Sequence, residues 1–319
     1  MLELLRLIQD GSFHSGETLG KQLGISRAAV WKQIEQLELQ HQVAIHRVRG
    51  RGYRLAEPLL LLDCERIDGS ALQLESVIVK DVLDSTNAES LRLVASGLAA
   101  PFIVLAEQQL AGRGRRGREW VSPCAENIYY SLVLRLDQGA RMLEGLSLVV
   151  GLAALRVLRE AGVERAGLKW PNDILVGNQK IAGILLELIG DPTDICHVVI
   201  GIGINVNMRA ESNAIDRPWT SVLLSTGSRQ DRNHLVSRLN CFLADYLSKQ
   251  NGLGFAALLD EWEREHLWQG RQVVLSAGGE PVHGQVLGIH ADGALRLLVK
   301  GCEQRYSGGE LSLRLHDDS

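Results

Sequence analysis

Three clusters in this chain have residue types and spacings suited to handling anions. The first is GRGRRG, residues 112–117, followed at once by Arg118. Its glycines let backbone approach a ligand closely, and its arginines offer paired donors to phosphate or carboxylate. Four arginines within six residues also repel one another, so a bound polyanion would order them. The second cluster is KWPND, which groups Lys169, Asn172 and Asp173; the third is Lys180, seven residues beyond Asp173. An aspartate can take Mg²⁺ directly or through water. A lysine can neutralise a transferring phosphoryl group and an attacking carboxylate. Together the clusters suit nucleotide activation. Each has a plainer reading, as a solvated basic turn or a surface lysine at a strand start.

GRGRRG also matches the dinucleotide-binding pattern G-x-G-x-x-G, with Asp137 falling 20 positions after Gly117. That motif works only where the glycines open a helix whose N-terminus holds the pyrophosphate. Here REWVSPCAENIYYSLVL follows, interrupted by Pro123 and running into a strand, and Asp137 closes an antiparallel neighbour. The letter match is a coincidence. A kinase glycine loop would want valine where Glu119 stands, and there is no G-x-x-x-x-G-K-[ST].

The elements that must position these clusters divide into three units. Residues 1–60 read as helix, helix capped by Ser15 and stopped by Gly24, a third helix capped by Ser26, then a basic hairpin turning at Gly50 and Gly52. Val30, Ile34 and Leu37 form one apolar face of the third helix, with Arg27, Lys32 and Gln33 largely off it. This is the plan of a winged helix-turn-helix DNA-binding domain. Ser26, Arg27 and Lys32 belong to the helix that enters the major groove. Arg47, Arg49, Arg51 and Arg54 lie on the hairpin within reach of phosphate or the minor groove. The alternative is a small helical bundle with a solvated basic hairpin. AEPLLLLD, with Pro58, reads as a linker. Residues 61–267 mix strands and helices. FIVLAEQQ and NIYYSLVLRL flank the arginine loop, GLKWPNDILV and QKIAGILLELIG form a hairpin around Gly177 and Asn178, and 234–268 is helical. Residues 268–319 are short β runs with turns at AGGE, ADG, KG and SGGE, a small all-β barrel.

Composition agrees with a partition of roles. The 319 residues carry a net charge of −4, yet residues 1–57 hold eight Lys/Arg against six Asp/Glu, a net of +2 that leaves −6 for the rest. The whole chain is therefore no polyanion binder, whereas its first segment is basic between Arg27 and Arg54. The five cysteines are scattered without a C-x-x-C pair, which points to reduced thiols in a cytoplasmic protein and away from a zinc site. No uncharged apolar run approaches the ~18 residues of a membrane helix, and MLELLRLIQD does not read as a signal peptide.

DSTNAE, GRGRRGREW, KWPNDI, QKIAGILLE, IGIGINVN and the terminal GGELSLR occur in that order across nearly the whole chain. This set resembles the biotin protein ligases. With a helix-turn-helix ahead of it, the chain is similar to the bifunctional bacterial biotin ligases that also repress the biotin operon. The resemblance implies an α+β fold: an N-terminal winged helix-turn-helix, a central catalytic domain like class II aminoacyl-tRNA synthetases, and a C-terminal SH3-like β-barrel. It implies that Ser85, Thr86, Asn87 and Gln109 hold the biotin ureido ring. Arg113, Gly114 and Arg115 would form the loop closing over biotin and its adenylate, and Gly183, Leu185, Gly201 and Gly203 would line the biotin slot. Lys180 would contact the biotin carboxylate and the α-phosphate, acting in catalysis with Arg115 and Asp173. Arg118, Trp120, Asn172, Asp173, Asn205, Trp219 and Arg314 would serve ATP, with Asp173 as the Mg²⁺ residue and loop 207–218 ordering over adenine.

The implied reaction makes biotinyl-5'-AMP from biotin and ATP, then transfers biotin to a lysine of a biotin carboxyl carrier protein. The adenylate would be the corepressor that promotes a homodimer on operator DNA. Two alternatives stand beside this: a lipoate-ligase-like adenylating enzyme, and a ligand-sensing transcription factor without catalysis.

Overall fold

We describe a computed structural model of the chain, covering residues 2–41, 43–57, 59–136, 143–190, 196–209, 215, 217–276, 280–308 and 311–316. Pro58, Asp137, residues 210–214 and 216 of the 207–218 loop, and parts of the AGGE and SGGE turns lie outside these residues.

The N-terminal unit comprises α1 (Leu2–Ile8), α2 (Gly16–Leu23), α3 (Arg27–His41), β1 (Ile45–Val48) and β2 (Gly52–Leu55). The expected caps form. Thr18 N donates to Ser15 Oγ at 3.0 Å, Gly24 ends α2 at φ 66°, and Ala29 N donates to Ser26 Oγ at 3.2 Å. Val30, Ile34 and Leu37 are fully buried against Leu4, Leu5, Ile8 and Leu19. The wing is held to the body where His14 and Tyr53 exchange both backbone hydrogen bonds at 2.9 Å. Gly52 sits there at φ 103°, and a Cβ on it would lie 2.0 Å from the His14 carbonyl oxygen. Only glycine fits.

The central unit is a seven-stranded sheet of order β3-β4-β5-β9-β8-β7-β6. Its strands are β3 (Ser76–Leu83), β4 (Phe102–Gln109), β5 (Ile128–Leu136), β6 (Ala166–Lys169), β7 (Asp173–Val176), β8 (Gln179–Gly190) and β9 (Cys196–Ile204). Only β3–β4 is parallel. The arginine loop therefore joins antiparallel neighbours β4 and β5, which disposes of the dinucleotide reading. The apolar stretch Leu146–Glu160 forms α5, which covers one sheet face together with α7 (Arg232–Leu253). On the other face, α4 (Thr86–Ala95) packs over Phe102, Val104, Val133 and Val199. Two short helices, α6 (Val222–Thr226) and α8 (Leu259–Glu265), complete this unit. GLKWPNDILV, read as one arm of a hairpin, is itself folded into two, because Trp170–Asn172 turn the chain between β6 and β7.

The C-terminal strands β10 (Gln272–Ser276), β11 (Val282–Ile289), β12 (Leu295–Val299), β13 (Cys302–Tyr306) and β14 (Ser312–Leu315) form an antiparallel sheet ordered β13-β12-β11-β10-β14. The outer strands β13 and β14 are not paired with each other among the described residues, so the sheet is antiparallel and all-β without a closing ladder. Its inward residues Val273, Leu275, Ile289, Leu297 and Leu313 belong to one continuous core with α5 and α7.

The expected linker is packed. Leu59, Leu61 and Leu62 are buried, and Arg232 and Glu107, both wholly buried, form a 2.7 Å ion pair beneath them. Arg232 donates to Leu60 O at 3.0 Å and Leu62 N donates to Glu107 Oε1 at 2.5 Å. Cys124 and Ala125, on the segment leaving the arginine loop, join the core of the N-terminal unit.

Candidate functional site

Two consecutive hairpins build the reactive corner. Lys169 on β6 stands opposite Asp173 on β7, and a register shift at Ile174/Leu175 brings Lys180 back beside it. Lys180 Nζ lies 2.6 Å from Asp173 Oδ1, and Lys169 Nζ lies 4.0 Å from Oδ2. Burial pushes the Asp173 carboxyl up, but the two ammoniums outweigh it and hold it below its ordinary pKa. Burial pushes the Lys169 ammonium down, an effect Asp173 opposes. The Lys169 ammonium also lies 4.5 Å from the centre of the Trp268 ring.

The arginine loop doubles back on itself. Trp120 N donates to Gly112 O at 2.9 Å and Gly114 N to Arg118 O at 2.7 Å, with left-handed residues Arg116 and Gly117 at φ 62° and 68° making the turn. Arg115 reaches away from the loop. Its guanidinium donates to Asn172 Oδ1 at 2.9 Å and to the Gly308 carbonyl. Trp120 lies flat on the sheet because β8 and β9 bring glycines together: Gly183 pairs with Gly203, and Leu185 with Gly201. A Cβ on Gly203 would meet the Trp120 ring at 2.5 Å, and one on Gly201 would meet Asn87 Oδ1 at 2.3 Å.

DSTN opens α4, with Ser85 at the N-cap position and Asp84 clasped by Arg92 at 2.7 Å. Thr86 N donates to Gln109 Oε1 at 2.8 Å, and Gln109 Nε2 donates to Ser122 Oγ at 3.0 Å. Ser131 Oγ donates to Asn87 Oδ1 at 2.6 Å, while Asn87 Nδ2 donates to Glu187 Oε2 at 2.7 Å. The result is a polar, geometrically fixed floor in a narrow slot, the arrangement that orients a small ligand bearing both donors and acceptors.

The expected residues converge on two adjoining cavities. Ser85, Thr86, Asn87, Gln109, Arg113, Gly114, Arg115, Lys180, Gly183, Leu185, Gly201 and Gly203 all line a narrow slot. Arg118, Trp120, Asn172, Asp173, Asn205, Trp219 and Arg314 all line a wider cavity of about 540 Å³. Gly114, Arg115, Trp120, Asn172 and Lys180 line both, so they stand at the junction. The wide cavity presents seven cationic side chains (Arg115, Arg116, Arg118, Lys169, Lys180, Arg217, Arg314) against Asp173 and Glu119. Such an excess suits a polyanion. Asn205 lines this cavity, but its amide is occupied in holding the chain beyond it, donating to Thr220 O at 3.0 Å.

The metal role does not fit Asp173 as arranged. Both of its oxygens face lysine ammoniums, and among the described residues no group of three His, Cys, Asp or Glu side chains could hold a metal ion. Magnesium brought by a nucleotide would rest mainly on phosphate oxygens and water.

Several site residues escaped the sequence reading. Ser131 and Glu187 complete the hydrogen bonding of Asn87; each is a polar residue flanked on both sides by apolar ones in its strand, a signal that was present and unused. Arg116 and Lys169, read as members of the anion clusters but given no individual role, line the wide cavity, as does Arg217 from the loop expected over adenine.

On the N-terminal unit, Ser26 caps α3, and Arg27, Lys32, Arg47, Arg49 and Arg51 are all exposed. The hairpin arginines differ in their ties: Arg47 pairs with Glu38 at 2.5 Å, and Arg51 lies 4.2 Å over the Phe13 ring.

The fold and site are those of a ligase joined to a helix-turn-helix. Residues 79–205 match the Biotin/lipoate A/B protein ligase family, and residues 1–54 match an HTH domain. The bifunctional ligase/repressor BirA of Salmonella typhimurium is 42% identical over 98% of this chain and 97% of its own. The biotin–[acetyl-CoA-carboxylase] ligase of Paracoccus denitrificans is 39% identical over 67% of this chain and 90% of its own. The biotin protein ligase from Aquifex aeolicus, solved with biotin and ATP, superposes with a TM-score of 0.67 at 29% identity, covering 76% of this chain and all of that one. The chain belongs to the bifunctional biotin ligase/repressor family.

Proposed function

We propose that this chain converts biotin and ATP to biotinyl-5'-AMP, transfers biotin to a carrier-protein lysine, and represses biotin synthesis genes by binding their operator DNA. The observation that carries the reading is the junction. A narrow slot with a fixed polar floor meets a cation-rich cavity at Lys180, Arg115 and Asn172. A carboxylate seated at that junction has a nucleotide phosphate as its neighbour. In this reading Asn87, Thr86 and Gln109 orient the ureido group, and the bicyclic ring enters the slot lined by Trp120 and the facing glycines. The Lys180 ammonium offsets charge on the carboxylate and the α-phosphate as they approach, which is electrostatic stabilisation where charge concentrates. Asp173 keeps that ammonium in place. The lid around Arg115 keeps water from the mixed anhydride until an acceptor amine attacks it. Mg²⁺ enters as the counter-ion of ATP, and we assign the chain no resident metal.

Repression would use the adenylate as corepressor. One helix-turn-helix reads one half-site, so tight operator binding needs a two-fold dimer. The adenylate, unlike biotin alone, reaches both cavities and therefore both the arginine loop and the segment at Trp219. The carrier protein would discharge the adenylate and favour monomer. The reading keeps the protein cytoplasmic, with its reduced thiols and its carrier partner. Among the described residues no helix is long and apolar enough to cross a membrane.

Incubation with biotin and MgATP, followed by mass spectrometry, should give biotinyl-AMP bound to the protein, with pyrophosphate released. Lipoate should not compete. Lipoyl-AMP formed in preference would move the chain to the lipoate branch, and no adenylate at all would leave a ligand-sensing regulator. Sedimentation with a non-hydrolysable adenylate analogue should show dimer; a dissociation constant equal to that of the ligand-free protein would break the corepressor link.

A further inference from the structure

Resting on the proposed adenylation, the wide cavity assigns one more residue to the reaction. Arg217 projects from a segment anchored directly to the reactive lysine's backbone. Lys180 N donates to Pro218 O at 3.0 Å, Thr220 N donates to Lys180 O at 2.9 Å, and Trp219 lies alongside Lys180 in a parallel bridge. Arg217 is thus held one residue outside a short ladder whose other rail is Lys180. It lines the same cavity as Arg118 from the arginine loop and Arg314 from β14. Three separate parts of the chain therefore deliver a guanidinium to one space.

These guanidiniums differ from Lys169, Lys180 and Arg115. Lys169 and Lys180 face Asp173, and Arg115 is bonded to Asn172 and Gly308. Among the described residues Arg118, Arg217 and Arg314 make no ion pair with a carboxylate. Arg118 is pushed below its ordinary pKa first by burial and then by Arg217, the mark of two like charges in close company. Clustered cations that outnumber their counter-charges are costly unless a polyanion is the intended guest.

We propose that Arg217 binds the β- and γ-phosphates of ATP and the pyrophosphate that leaves. In the step concerned, a biotin carboxylate oxygen forms a bond to the α-phosphorus. The bond from that phosphorus to the α–β bridging oxygen breaks, and its electron pair departs on pyrophosphate. Charge on the β-phosphate rises as the bond breaks. A guanidinium on that side stabilises the leaving group, whereas Lys180 attends the attacking side.

The assignment separates the two half-reactions. Arg217→Ala should raise KM for ATP and weaken product inhibition by inorganic pyrophosphate, each by at least about tenfold, the lower end of what one lost charge-assisted hydrogen bond brings. KM for biotin should hold. Transfer from chemically made biotinyl-AMP to the carrier protein should proceed at the wild-type rate, which also certifies the fold. Arg217→Lys should recover part of the loss. Unchanged KM for ATP and unchanged pyrophosphate inhibition in Arg217→Ala overturn the proposal, as does an equal loss in the transfer step. Wild-type protein that makes no adenylate would instead overturn the proposed function itself.

Discussion

Asp173 is the residue whose neighbours define the chemistry. A partly buried carboxylate facing two lysines stays ionised and fixes the position of both ammoniums. Lys180 is the one at the junction of the two cavities, so its charge is where carboxylate and phosphate would meet. Lys180→Ala should leave the sheet intact, because its backbone ladder to Pro218 and Thr220 needs no side chain. Adenylation should fall at least 10- to 150-fold, roughly the 1.5–3 kcal/mol of a charge-assisted hydrogen bond. Single-turnover pyrophosphate release measures it; a near wild-type rate would remove Lys180 from the mechanism.

At the scale of elements, the proposed reaction makes the arginine loop a lid with a latch. Its latch is Arg115, bonded to Asn172 and to the Gly308 carbonyl, so the lid is tied both to the reactive corner and to the C-terminal unit. Arg115→Gly should let the adenylate escape and biotinylate unrelated lysines. Retention of the intermediate for as long as wild type would deny the loop this role. The junction behind α8 makes a second element-scale prediction. His266 ends that helix, is only 4% exposed, and packs 4.7 Å from the Trp262 ring. Burial pushes its imidazole down to about 4. Such a histidine binds more protons unfolded than folded between about pH 4 and 6.5, so its contribution is full above pH 6.5 and declines as pH falls toward 4. The loss should reach about 3 kcal/mol, since each tenfold weakening of proton affinity on folding is worth about 1.4 kcal/mol. Urea titrations of wild type and His266→Phe across this window test it; identical pH slopes would exonerate His266.

For the whole molecule, the three units are less separable than a linker between them would make them. Arg209, at the root of the loop expected to order over adenine, clasps Glu57 at 2.7 Å, and Arg229 joins both Glu57 and Glu126. Cys124 and Ala125 carry the other ligand loop into the N-terminal core. A deletion of residues 1–56 should therefore lose DNA binding yet keep ligase activity with some destabilisation. A deletion of 1–63 also strips Leu60 O and Leu62 N from the buried Arg232–Glu107 pair. Each lost partner costs roughly 1–3 kcal/mol, so the longer deletion should unfold at distinctly lower denaturant. Equal midpoints would mean that the segment is only a tether.

The sequence by itself determined what is local or carried by motif. Caps at Ser15, Ser26 and Gly24, the Gly177–Asn178 turn and the rejection of a dinucleotide fold all follow from chemistry within a few residues, which needs no distant partner. The ordered motifs named the family, and the biotin and ATP residues drawn from them all fall on the lining of the two cavities. The tertiary structure decided what depends on residues far apart in the chain. It folded GLKWPNDILV in two so that Lys169 and Lys180 share one carboxylate. It brought Ser131 and Glu187 to Asn87 and gave Asn205 a scaffolding hydrogen bond. It also turned an apparent linker into a packed seam. These outcomes had no local signal, because burial and electrostatic pairing are set by which strands become neighbours, and strand order is a property of the closed fold.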